Sequence, residues 1–407
     1  MYWTVHLEGG PRRVNHAAVV VEDKIYSFGG YCTGDNYSKR RPMDVHVLNT
    51  SNFRWTALPL PRQSDPQSSC VPFQRYGHTA VSYGDKIFVW GGRNDIGACN
   101  VLFCFDTNTL QWSCPEVTGM IPGARDGHSA CIINHCMFVF GGFEEQIDRF
   151  SQDVHTLDLR TMHWSYIITQ GEPPSYRDFH SATALGDRMY IFGGRGDLNG
   201  PYHSQEEVYC SDIMYLETQT GRWHRPVTSG DVPIGRRSHS AFAYKGYLYI
   251  FGGYNGLCNV HFNDLYRFSP VRNEWQQLEP LGRPPSKRRR QACLVVEDKM
   301  FLFGGTSPFS NTNTHGIQDY VTDENLQGLD VKLMDHSDLH ILDFGMFLSF
   351  YSRLVQCACD FNPFTPLKYE PPLYPLFPYS CNSNIMDLKT FSASNTSATC
   401  KMLCGNR

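Results

Sequence analysis

Six glycine doublets constrain this chain more than any other feature. Gly29-Gly30, Gly91-Gly92, Gly141-Gly142, Gly193-Gly194, Gly252-Gly253 and Gly304-Gly305 each close a strand-like apolar run, at steps of 62, 50, 52, 59 and 52 residues. A period near fifty belongs to chains built from one repeated supersecondary unit. A second landmark keeps a fixed offset from the first. Thirteen residues before the first glycine stand His16, His78, His128, His180 and His239, and Gln291 takes that place in the sixth repeat. Six matches at one offset set the register of the repeat.

Each unit reads alike. His-Ser/Thr-Ala opens a small-residue strand, as in His128-Ser129-Ala130, and a turn such as Gly84-Asp85-Lys86 follows. An alternating aromatic and aliphatic strand then runs into the doublet, as in Leu248-Tyr249-Ile250-Phe251. After a loop of variable length a third strand starts near an acid or Asn (Asp44, Asn100, Asp153, Asp212, Asp264, Asp338), and Trp55, Trp112, Trp164, Trp223 and Trp275 mark a fourth. Four strands per period of about fifty residues describe a propeller blade. The sixth unit has no Trp after Asp338, whereas Trp3 precedes the first unit. The N-terminal strand is therefore expected to complete the last blade and close the ring, which pairs an otherwise open edge.

Composition agrees with an all-β chain: aromatics are 14% and charged residues 19%, with 35 Gly and 24 Pro in 407 residues. With 36 basic and 40 acidic residues the net charge is −4, so nucleic-acid binding through bulk charge is not expected. No apolar run reaches the 18 residues of a membrane span, and no secretory signal opens the chain. The 15 cysteines are scattered without Cys-x-x-Cys pairs. They read as reduced thiols of a cytoplasmic protein, with the nucleus as a further location. No Ser-His-Asp order or phosphate loop occurs, so neither an enzyme nor a metal or other cofactor is expected.

The Gly-Gly doublet, the following Trp and the blade length resemble the kelch repeat over roughly residues 3–344. The resemblance implies a six-bladed kelch β-propeller at 1–344, and the Arg-x-x-His-Ser/Thr-Ala turns resemble those of free-standing kelch-domain proteins. Residues 345–407 read as an irregular C-terminal tail. Phe347, Phe350, Tyr351 and Leu354 fall on one face of a short helix, before a Pro-rich, disordered stretch from Pro363 to Pro378. Some plant kelch proteins hold iron through Glu-x-x-x-Asp-x-x-x-His. Here Glu144, Asp148 and Gln152 occupy that spacing, without the His.

Two loop sets are expected to converge on one mouth of the central channel. One follows each doublet and begins with Tyr31, Arg93, Phe143, Arg195, Tyr254 and Thr306. The other lies between the turn Arg and the His. It carries Tyr76, Asp126, Asp178, Phe179, Arg237, Ser238, Arg289 and Arg290. These positions vary among repeats while the scaffold residues stay fixed, as a surface freed for binding would. Arg93, Arg195, Arg237, Arg289 and Arg290 with the aromatic Tyr31, Tyr254 and Phe179 suit a carboxylate or other anion. In the alternative, several of these arginines pair with Asp126, Asp178 or Asp95. The turn arginines themselves (Arg13, Arg75, Arg125, Arg177, Arg236, Arg288) recur with the scaffold and read as structural.

Relatives of this kelch subgroup resemble substrate receptors of cullin-2 ubiquitin ligases that read client C-termini, the C-degrons. The resemblance implies peptide C-termini as partners, with Arg195 and Arg237-Ser238 at the carboxylate, and Elongin B/C and cullin-2 as ligase partners. The Elongin-docking pattern requires Cys four residues after a Leu. No Leu from 345 onward has it: Ser352, Ala358, Pro371, Phe377, Ser380, Ser392 and Arg407 stand there instead. A general kelch scaffold for cytoskeletal, nuclear or chromatin partners is the alternative function.

Overall fold

The computed structural model describes residues 1–6, 10–38, 41–62, 64–204, 206–309 and 332–345. The helical face and Pro-rich stretch expected beyond 345 lie outside these residues. Among the described residues helix is limited to two 3-10 turns, Pro66–Cys70 and Glu145–Ile147. No helix there is long and apolar enough to cross a membrane.

Each repeat folds into an antiparallel sheet of four strands. In blade 3 these are Ser129–Ile133, Cys136–Phe140, Val154–Asp158 and His163–Tyr166, from hub to rim. The second strand is apolar on both faces, Cys-Met-Phe-Val-Phe, because a blade is covered on both sides by its neighbours. Six such sheets follow one another. Their innermost strands, from Ala17–Val21 to Arg289–Val296, touch in order, and the last touches the first.

A ring of tryptophans fixes the order. Each packs on the aromatic residue that precedes the doublet of the blade before it. The centroid separations are Trp112 to Phe28 5.7 Å, Trp164 to Trp90 5.5 Å, Trp223 to Phe140 5.4 Å and Trp275 to Phe192 5.2 Å. Trp3 lies 5.7 Å from Phe251, and Trp55 lies 4.9 Å from Phe303, completing the ring. Such edge-on pairs add about 0.5–1.5 kcal/mol beyond the area they bury. Closure follows the expected route. Tyr2–His6 pairs antiparallel with Leu339–Asp343, Trp3 opposite Leu342, as the fourth strand of blade 6.

The doublets sit where the backbone of the next blade comes closest. Gly91 has φ +70, and a Cβ there would lie 2.3 Å from the His128 ring of blade 3. Neither the dihedral nor the space admits a side chain. Four of the five histidines are hydrogen-bonded blade-to-blade ties, whereas His16 meets blade 6 through the Phe303 ring at 5.2 Å. His78 Nε2 meets the Phe28 carbonyl at 3.1 Å, and His128, His180 and His239 meet Thr79, Ser129 and Ser181 at 2.8, 2.6 and 2.8 Å. Gln291 donates to the Phe251 carbonyl at 3.0 Å, so it replaces His in kind. Burial holds all of these histidines far below the usual imidazole range, His78 and His239 to about 3, so they stay neutral.

Candidate functional site

The two loop sets predicted to converge are joined in register. The residue after each doublet pairs antiparallel with the residue after each turn arginine. The pairs are Tyr31 with Val14, Arg93 with Tyr76, Phe143 with Asp126, Arg195 with Asp178, Tyr254 with Arg237 and Thr306 with Arg289. One residue further on, the six blades exchange backbone hydrogen bonds in a closed circle. Asn15 N–H donates to Arg290, Gly77 to Asn15, Gly127 to Gly77, Phe179 to Gly127, Ser238 to Phe179 and Arg290 to Ser238, at 2.7–3.1 Å. All six residues are left-handed, the non-glycines Asn15, Phe179, Ser238 and Arg290 included. Such a conformation costs about 1–3 kcal/mol at a bulky residue, and the circle of bonds holds it in place. The circle and the His row beneath it enclose a cavity of about 120 Å³ at the hub.

The turn arginines are interior, as expected. Arg125, Arg177, Arg236 and Arg288 are at most 2% exposed. Each donates Nη1 to the carbonyl of the first doublet glycine in its own blade, at 2.9–3.1 Å. The acid that begins the third strand supplies the counter-charge: Asp44 for Arg13, Asp264 for Arg236 and Asp338 for Arg288. Sequence reasoning noted these acids without assigning them a task. Their place at the head of the third strand was the available signal, since their spacing from the turn arginine varies from 28 to 50 residues. The basic run Lys287 to Arg290 is likewise no continuous patch, since Arg288 points inward to Asp338.

The mouth arginines divide into two groups. Arg195 is clamped by Asp178 at 2.6 Å and by Glu207 at 3.3 Å, and Arg93 is paired with Glu145 at 2.9 Å. Two of the five mouth arginines are thus neutralised in place, Arg195 in part by Asp178, an acid named in the alternative reading. Arg237, Arg289 and Arg290 have no carboxylate within ion-pair distance among the described residues. All three are half-buried and lean on aromatic rings. Tyr254 lies between Arg289 at 4.5 Å and Arg237 at 5.6 Å. Arg290 lies 5.4 Å from the Phe179 ring and donates to the Tyr31 hydroxyl at 2.6 Å. Burial first, then the charges of Arg290 and Arg237, lowers Arg289 to about 10. Several buried polar atoms here lack partners among the described residues: Ser238 Oγ, Asn15 Nδ2, Arg289 Nε and Arg290 Nε. Buried donors without acceptors are rare and mark a place for a missing acceptor.

The opposite side of the mouth is acidic. Asp126 is raised to about 7, chiefly by burial and next by Asp178. Sequence reasoning missed a third feature, an apolar rim. Ile96, Leu198, Leu257 and Phe309 stand four residues past the doublet and Ile147 five, all at least half exposed. Their offset was legible, had the loops been aligned on the doublet. As to metals, His135, Cys136 and Asp158 are the trio with suitably close ligand atoms among the described residues. Arg160 already bonds His135 Nε2 at 2.7 Å and sits 3.3 Å from Asp158, and a cation there repels a metal ion.

Comparison with known proteins agrees with this architecture. The KLHDC2/KLHL20/DRC7 Kelch-repeats domain family matches residues 77–305, and the Kelch motif matches residues 12–59. Kelch domain-containing protein 3 of Bos taurus is 53% identical over 354 residues, covering 86% of this chain and 89% of that protein. Its Homo sapiens counterpart is 52% identical, with the same shares covered. Host cell factor 2 of Homo sapiens is 31% identical over 258 residues, which is 60% of this chain and 32% of that protein. A closed ring of blades, the doublets and histidines that lock it, and these matches together place the chain in the kelch-repeat family, as a protein-interaction propeller.

Proposed function

We propose that the chain captures the free C-terminus of a client polypeptide at the hub mouth, and that it serves as substrate receptor of a cullin-2 ubiquitin ligase in the cytoplasm or nucleus. It is a recognition module and not an enzyme. One observation carries the first half. Arg237, Arg289 and Arg290 are half-buried without a carboxylate among the described residues, around Tyr254, Tyr31 and Phe179. Partly desolvated cations that repel one another leave an electrostatic deficit. An incoming terminal carboxylate offsets it through charge-assisted bonds to guanidinium groups and Ser238, a known way to hold a C-terminus. The acidic wall rejects a second negative charge beside the first, and the exposed rim offers apolar contact to the residues upstream.

Matched peptides with free and amidated C-termini test this reading. Binding of the free form alone supports it. Equal binding of both overturns it in favour of a general kelch scaffold. The ligase half rests on the family resemblance, and co-purification of Elongin B/C and cullin-2 with the full chain tests it separately.

A further inference from the structure

Blade 2 differs from blades 3 to 6 at its outer edge. In those four the connecting segment runs parallel to the Trp strand before entering the next blade. Thr118–Gly119 lies beside Trp164, Ser229–Gly230 beside Trp275, and Leu281–Gly282 beside Trp3. In blade 4 Gln170 bridges Arg222 in parallel, next to Trp223. The four segments share one pattern, Gly-x-x-Pro, ending at Pro122, Pro174, Pro233 and Pro285. The glycine is required. Its φ is +85, +78, +80 and +92 in chain order, and a Cβ would come within 2.1–3.0 Å of the Trp carbonyl. The backbone seals the edge: Met120 and Asp231 N–H donate to the Trp164 and Trp275 carbonyls, and Trp223 N–H donates to Gln170.

The segment entering blade 2, residues 58–72, contains no glycine. It coils into the 3-10 turn Pro66–Cys70 instead. No strand lies beside Gln111–Ser113 on that side among the described residues. The Trp112 N–H donates to a side chain, Gln67 Oε1, at 2.6 Å, where Trp223 of blade 4 uses the Gln170 backbone carbonyl. Beside it opens a cleft of about 420 Å³, lined by Leu58, Leu60, Leu110 and Trp112 together with the polar Asp65 and Gln111. Leu60 and Leu110 are exposed.

We propose that this edge is a docking site for an extended segment of a partner protein bearing Gly-x-x-Pro, which adds in parallel beside Trp112 and takes over the bond now made by Gln67. A strand edge capped by a turn and one side chain in place of a strand, next to a partly apolar cleft, can receive an added strand. The molecule itself states what fits, since four equivalent edges carry the same pattern. Of the glycines outside the described residues, Gly9, Gly316 and Gly328 are followed three residues on by Arg12, Asp319 and Val331, not by proline. The occupant is therefore assigned to another chain. This site is separate from the hub mouth and does not depend on its function.

A labelled peptide with the sequence of residues 115–124 (Pro115 to Ala124) is the probe, titrated by anisotropy against the full chain. Saturable binding is expected, with slowed amide exchange at Gln111–Ser113. The peptide carrying Gly119→Ala, and separately the protein variant Leu60→Glu, should each weaken binding by about tenfold or more. Leu60 is exposed, so its replacement leaves the fold intact, which a matching melting curve checks. The proposal is overturned by absence of saturation up to about 1 mM, by equal binding of the Gly119→Ala peptide or the Leu60→Glu protein, or by protection at blade 3 in place of Gln111–Ser113.

Discussion

Arg236 and Arg237 follow one another in the chain, and the backbone turns their side chains into different surroundings. Arg236 enters the blade, where it is fully buried. It bonds the Gly252 carbonyl at 3.1 Å, pairs with Asp264 and lies 3.9 Å from the Phe262 ring. Arg237 faces the mouth, touches Tyr209 and Tyr254, and has no counter-ion among the described residues. Arg288 and Arg289 repeat the contrast: one is bonded to Gly304 and Asp338, the other leans on Tyr254. Adjacent guanidinium groups thus serve opposite ends. The first is satisfied and holds a doublet in place. The second has no carboxylate partner among the described residues and stays half-exposed at the mouth.

The sharpest way to break this contrast is to truncate both members. Arg236→Ala strands the Asp264 carboxylate and the Gly252 carbonyl, and should cost about 3–5 kcal/mol of stability. Arg237→Ala should change stability by no more than about 0.5 kcal/mol. Urea denaturation of the two variants decides it, and equal losses would erase the distinction. Next in size is ligand capture. Arg237→Ala should weaken a free-carboxylate peptide by about 1.5–3 kcal/mol in calorimetric titration. Arg195→Ala should act mainly on stability, because Arg195 already neutralises the buried Asp178. A smaller effect is expected from Tyr31→Phe. It removes the hydroxyl that holds Arg290 and should weaken the same peptide by about 0.5–1.5 kcal/mol.

The smallest expected effect is a pH slope set by the acidic wall. Burial first, then Asp178 and Glu145, raises Asp126 to about 7 against the lowering effect of Arg93 and Arg290. As pH rises from 6 to 8 it gains charge beside the mouth arginines, so peptide affinity should fall, and Asp126→Asn should flatten the slope. Linkage gives a second readout. A carboxyl raised above its unfolded value contributes stability below about pH 4 that is lost as pH climbs through about 7. Asp126→Asn should therefore be the more stable form at pH 8, as thermal melts at pH 5 and 8 would show.

The ring was legible because its parts are repeated. A glycine forced by a left-handed turn, a His or Gln that ties two blades and a Trp that fills their gap must recur wherever the geometry recurs. Their offsets therefore appear in the linear string. Trp3 could be assigned to the last blade by counting alone, and its pairing with Leu342 bears that out. The mouth was legible as a set of positions: both loop sets and the residues on them were named from their offsets. Which cations are free was not legible. Arg93 finds Glu145 from the next blade, and Arg195 finds Asp178 and Glu207, partners 52, 17 and 12 residues away in sequence.

By itself, then, the sequence determined the repeat, its strands and the residues placed around the channel, since local dihedrals and blade-to-blade packing obey the same rule in every copy. Only the tertiary structure decided which arginines lack a carboxylate partner and that a side chain, Gln67, caps the outer strand of blade 2. Both depend on Coulombic and hydrogen-bond partners that folding brings from distant parts of the chain, and no repeat period encodes those.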